Sequence, residues 1–204
     1  MPIIRGWSGF AIDMSLVECG GDGDCLFHCV AAAMGQILNC QFSMLHVRNL
    51  LAQSLTYDNV TDYVTQVREE HDHCLPAGSV RLNVEYSLDI VRAIVELPGH
   101  YHQGTDGTLR WLAKCSEWFR HNQVGFVVFS SFGPSYTSVI GDDNTRHYIL
   151  LFNSSETCHW QLVYLPIVKE TVTWHCCITA DVCAELQSVL QRGELKNMET
   201  NKHI

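Results

Sequence analysis

No C-x-x-C pair occurs among the ten cysteines of this 204-residue chain. A structural zinc site ordinarily takes two ligands from one turn, two to four residues apart, so the commonest zinc framework is excluded. The nearest substitutes are His71-Asp-His-Cys74 and His175-Cys-Cys177 with Cys183. Scattered histidine and cysteine produce such clusters readily, and no metal is expected. Basic residues are scarce as well: 13 Lys and Arg stand against 22 Asp and Glu, a net charge of −9. Nucleic-acid binders need the opposite balance, so no nucleic-acid partner is expected. Apolar runs such as Tyr148-Ile-Leu-Leu-Phe152 fall far below the roughly 20 residues of a membrane span. The opening Met1-Pro-Ile-Ile-Arg-Gly-Trp7 has neither the apolar core nor the small-residue cleavage site of a signal peptide. These absences lead us to expect a cytoplasmic protein, its cysteines reduced and mostly buried as small hydrophobes. Internal repeats, low-complexity tracts and linkers are also missing, and 47% hydrophobic residues suffice for one well-packed domain.

What is present reads as an α+β pattern. Residues 7–19 alternate loosely and suggest one or two short strands. A helix is expected from Cys25 to Leu38, with Leu26, Val30, Ala33, Met34 and Ile37 at spacings of three and four. Ser43 can cap a second helix carrying Leu45, Leu50, Leu51 and Leu55. A helix and loop are expected within 56–80. The next helix, 87–97, has Ile90, Val91, Ile94 and Val95 on one side, and Pro98-Gly99 stops it. Another follows with Leu109, Leu112, Cys115 and Phe119 on one face. Three apolar runs, beginning at Val124, Arg146 and His159, are too short for helices and read as strands of one sheet. The tail from 180 starts as a helix and ends polar and frayed.

One stretch carries chemistry. In Gly20-Gly-Asp-Gly-Asp-Cys-Leu-Phe-His-Cys29, a run of turn-formers meets the first residue of a helix, and that residue is Cys25. Unpaired amides and the helix dipole favour a thiolate there, the reactive form of the side chain. A cysteine nucleophile needs a base, usually histidine. Of the 11 histidines, His147 stands out because it begins the strand "HYILLF" directly after the polar loop "GDDNTR". A rigid strand end beside a loop is a common place to hold a catalytic side chain.

The segment "DGDCLFHCVAAAM" resembles the nucleophile motif of the ovarian-tumour (OTU) family of cysteine proteases, with Asp22, Gly23, Asp24, Cys25, Leu26 and Phe27 on the motif positions. "DGTLRWLAKCSEWFRHNQVGFVVFSS" resembles the family's central helix and strand, and "DNTRHYILLF" its closing His-Tyr strand. The resemblance implies a single papain-like OTU domain, a small central β-sheet flanked by helices, spanning about 8–166. Residues 167–204 would form a C-terminal strand and helix extension. It implies a thiol-dependent deubiquitinase that hydrolyses isopeptide bonds between lysine and ubiquitin or a ubiquitin-like modifier. Cys25 would be the nucleophile and His147 the general base and acid, with no cofactor. The backbone of Gly23 and Asp24 would hold the oxyanion. Ubiquitin or polyubiquitin chains would be the partner of a monomer. The divergent motifs would suit a viral or bacterial effector working in the host-cell cytosol.

One departure from the family pattern concerns the third residue. Many relatives place Asn or Asp two residues beyond the histidine; here Ile149 stands there and can accept no hydrogen bond. A carboxylate N-terminal to Cys25 is the expected replacement. Asp22 is the first choice, and Glu18 and Asp13 are the alternatives. The competing reading is a non-catalytic OTU-like module that binds ubiquitin without cleaving it.

Overall fold

The computed structural model describes residues 14–21, 23–71, 80–99, 102–154, 159–168 and 172–200. Asp13 and Asp22, two of the three carboxylates expected near the nucleophile, lie outside these residues, as do His73 and Cys74 of one candidate metal cluster. Among the described residues, no group of three or more His, Cys, Asp or Glu could hold a metal ion. No described helix is long and apolar enough to cross a membrane.

The fold is mixed α+β. Strand β1 (Ser15–Val17) precedes the helices α1 (Cys25–Leu38), α2 (Met44–Ser54), α3 (Val60–His71), α4 (Leu88–Glu96), α5 (Asp106–Cys115) and α6 (Glu117–His121). Strands β2 (Val124–Ser130), β3 (Gly133–Ile140), β4 (His147–Ser154), β5 (His159–Val168), β6 (Val172–His175) and β7 (Cys177–Thr179) follow, then α7 (Ala180–Thr200). The sheet runs β1-β5-β4-β2-β3, with β6 beside β5 and β7 beside β4. β2 and β4 are parallel, and β4 and β5 antiparallel.

Alternation along the strands feeds two cores. Phe126, Val128, Ile149, Leu151, Trp160 and Leu162 face the helices α1 to α6 in one cluster. Val127, Phe129, Leu150, Phe152, Val163 and Leu165 face the other side, where Cys183, Leu186 and Leu190 of α7 cover them. Because both faces are covered, β2 is almost wholly apolar, without the polar-out alternation of a half-exposed strand. The boundary expected at 166/167 falls inside β5, and the segment beyond it contributes two strands and the helix that closes the second core.

Local chemistry accounts for the helix starts. Ser43 accepts the His46 N–H at 3.2 Å at the start of α2, and Ser87 caps α4 through Ile90. Three expectations need correcting. Leu45 is exposed, and α2 buries Val47, Arg48, Leu51 and Ala52 instead. Ile90 is exposed too, since Leu88, Val91 and Val95 form the buried stripe of α4. The helix expected across Leu109–Phe119 breaks at Ser116, whose extended backbone (φ −74°, ψ 118°) separates α5 from α6.

Candidate active site

Cys25 is the first residue of α1, as its sequence context implies. The turn before it closes with the Asp24 N–H on the Gly21 carbonyl at 3.0 Å. Gly23 in that turn has φ +86°, a left-handed conformation in which a β-carbon would be strained. The Cys25 side chain is buried, and the backbone amides of Trp160, Leu26 and Cys25 itself favour its thiolate. Burial pushes the thiol above its ordinary value. The three amides pull it down by less, and the neighbouring Asp24 charge adds a smaller upward push. Burial thus opposes the thiolate that the helix terminus favours.

Trp160 ties the start of α1 to the sheet. Trp160 follows His159, the first residue of β5. Its indole N–H donates to the Gly104 carbonyl at 3.1 Å, and Gly104 is so close to α1 that an added β-carbon would lie 2.2 Å from Leu26 Cδ2. The Cys29 thiol donates to the Trp160 carbonyl at 3.6 Å. Leu26, Gly104 and Trp160 therefore lock the start of α1 onto the start of β5.

The same strand end meets β1. Val17 pairs with Leu162, so the next residue, Glu18, comes opposite Gln161. Glu18 Oε2 lies 2.5 Å from His159 Nε2, and Gln161 Nε2 donates to Glu18 Oε1. His159, Gln161 and Glu18 thus form one connected, part-exposed polar group at the start of β5, beside the Trp160 amide that favours the Cys25 thiolate.

The structure brings Glu18, Gly23 and Asp24 to this site but leaves His147 elsewhere. His147 begins β4, paired with Val124 of β2 and Thr179 of β7, and is exposed. Residue Asn153 of β4 is the one opposite Trp160. At ~3.3 Å per residue, His147 is about 20 Å along the strand from it. The pairing of Cys25 with His147 is accordingly corrected: antiparallel β4 and β5 place their first residues at opposite ends of the sheet. Ile149 is buried in the core, and its missing oxygen has no bearing on the site.

His159 and Gln161 were not singled out in the sequence, although a signal was there. Both His147 and His159 open an apolar strand after a polar loop. Only His159 has a hydrogen-bonding side chain two residues on, where the alternation of a strand returns it to the same face.

No protein-family model and no curated protein sequence matches the chain. Solved structures do. "Structure of Ovarian Tumor (OTU) domain in complex with Ubiquitin" superposes with a TM-score of 0.52 at 12% identity, covering 88% of this chain and 84% of that one. An OTU deubiquitinase from Wolbachia pipientis wMel gives 0.46 at 16% identity over 74% and 87% of the two chains. Its ubiquitin-bound form gives 0.47 at 12% identity over 78% and 98%. The first likeness shows the fold: this chain has the α+β architecture of an OTU domain.

Proposed function

We propose that this protein is a thiol-dependent hydrolase that releases ubiquitin, or a ubiquitin-like modifier, from lysine side chains, with Cys25 as nucleophile and His159 as general base. The observation that carries the reading is the junction of Cys29, Leu26 and Gly104 with Trp160, which holds the start of α1, and so Cys25, on the start of β5 next to a histidine oriented by a carboxylate. With Nε2–H directed at Glu18, the Nδ1 lone pair of His159 is the one that receives a proton. Glu18 takes the role of third residue, and Gln161 fixes Glu18 by holding its second oxygen. The substrate class is suggested by the fold, since the OTU domain it most usefully compares with was solved bound to ubiquitin.

The chemistry follows from the geometry. Burial keeps the resting thiol protonated, so the proton must leave during attack. His159 takes it as the sulfur bonds to the carbonyl carbon of the modifier's C-terminal residue. The Asp24 N–H, expected among the oxyanion donors, is spent on the Gly21 carbonyl, which leaves the amides of Gly23 and of the first turn of α1 for the developing oxyanion. Collapse breaks the C–N bond, with His159 returning the proton to the lysine amine. Water, deprotonated by the same imidazole, then hydrolyses the thioester.

Ubiquitin bearing a C-terminal electrophile tests the proposal. Parent protein should form a covalent adduct at Cys25, and Cys25→Ala should form none while still binding ubiquitin. Reversible binding by the parent, with Cys25 unmodified, would instead identify a ubiquitin-binding module.

A further inference from the structure

The helix that carries the nucleophile begins with an aspartate that does not cap it. Asp24 occupies the N-cap of α1, where a carboxylate ordinarily accepts an N–H from the second or third helical residue. Its side chain makes no such bond, and its backbone (φ −101°, ψ 1°) is outside the extended region usual for a cap. The carboxylate turns inward. Oδ1 accepts from Arg48 Nε at 2.8 Å and from Arg48 Nη2, while Oδ2 accepts the Gly99 N–H at 2.6 Å. Arg48 itself is fully buried. Its guanidinium also donates to the carbonyls of Val95 (2.8 Å), His102 (2.9 Å) and Gly99 (3.3 Å), and its Cζ lies 4.1 Å from the Phe27 ring centroid. Exchanging a buried ion pair for apolar groups is often neutral or stabilising, so stability alone is a weak reason for this one.

The consequence is local. With Asp24 held inward, no side-chain cap claims the first amides of α1, the turn that Cys25 opens. We propose that Arg48 is a positioning residue of the active site: by holding the Asp24 carboxylate inward, it keeps the first-turn amides of α1 open to the Cys25 sulfur and to the oxyanion. Without Arg48, the carboxylate would rotate to cap its own helix. That rotation would occupy an amide and set a negative charge beside the nucleophile. The inference rests on reading Cys25 as the nucleophile.

The test compares Arg48→Met, Arg48→Lys, Asp24→Ala and the double variant Arg48→Met/Asp24→Ala. Three quantities are measured: the pH midpoint of Cys25 alkylation, located by fragment mass spectrometry; the melting temperature; and kcat and KM on a fluorogenic C-terminal amide of ubiquitin. Arg48→Met should raise the alkylation midpoint by about one pH unit. It should lower kcat by about 10–10²-fold with KM within threefold, as when an oxyanion donor is compromised. Arg48→Lys should fall between it and the parent. The double variant should regain the parent midpoint although the ion pair is gone, because no carboxylate remains to cap the helix. An unmoved midpoint in folded Arg48→Met, or no recovery in the double variant, would overturn the proposal. If Arg48→Met does not fold, Asp24→Ala decides: its midpoint should sit at or below the parent's, and a rise would reject the idea. A parent without turnover counts against the enzyme reading, while the alkylation midpoints still judge Arg48.

Discussion

Replacing His159 and His147 one at a time by alanine separates the site seen in the structure from the one expected in the sequence. His159→Ala removes the base while leaving the fold nearly intact. Its ring is half-buried, and the Glu18 side chain it meets is 54% exposed, so the lost pair costs about 0.5 kcal/mol of stability after solvent screening. Losing a general base typically slows the chemical step by about 10²–10⁴-fold, or roughly 3–5 kcal/mol of transition-state free energy. His147→Ala trims an exposed side chain at the far end of β4 and keeps the backbone bond from His147 N–H to the Gln123 carbonyl. Turnover should then stay within about threefold of the parent, as for most surface changes. The assay is steady-state hydrolysis of a fluorogenic ubiquitin amide, paired with thermal denaturation of each variant. A severe loss in His147→Ala, with His159→Ala near the parent rate, would refute the assignment. Equal, small losses in both would point to a base on neither strand.

Four further outcomes can be checked. Cys25 should alkylate with a midpoint above the ~8.5 of a free thiol, because burial disfavours its charged form; a midpoint below 8 would contradict this. Burial also pushes Cys183 up to about 11 and Cys177 up to about 12, so the folded state holds these protons more tightly than the unfolded chain. That stability is fully present below the unfolded thiol value and is lost as pH rises through the folded ones; a melting temperature flat from pH 8 to 11 would argue against it. Glu18→Gln should lower kcat by about 10–10³-fold, less than losing His159, since it orients the ring without moving the proton, and rates unchanged in Glu18→Gln would remove Glu18 from the site. Gly104→Ala should destabilise the fold by about 1–3 kcal/mol and slow probe capture, because the new methyl group would drive Leu26 and α1 away from Trp160; a melting temperature equal to the parent's would show that the junction yields.

The sequence by itself determined the local features of this protein. The turn-formers of 20–24 and the helical spacing after them placed Cys25 at the first residue of α1, and Ser43 marked the start of α2. Short apolar runs gave β2, β4 and β5, because alternation and length are properties of a few consecutive residues. β3 was not legible: Gly133-Pro-Ser-Tyr-Thr-Ser lacks apolar alternation, and only its edge position, paired with β2 alone, tolerates a proline there. Glu18 could be named as a candidate, but its partner could not. Which histidine meets the nucleophile depends on strand direction and register, and these are fixed by pairings between residues more than 100 positions apart. The antiparallel pairing of β4 with β5 sets His159 beside Ser154, at the end of β4 opposite His147, although both histidines look alike in their own neighbourhoods. The upward push on the thiol likewise comes from tertiary burial, since the helix dipole acts from sequence-local geometry whereas desolvation depends on everything packed around the sulfur.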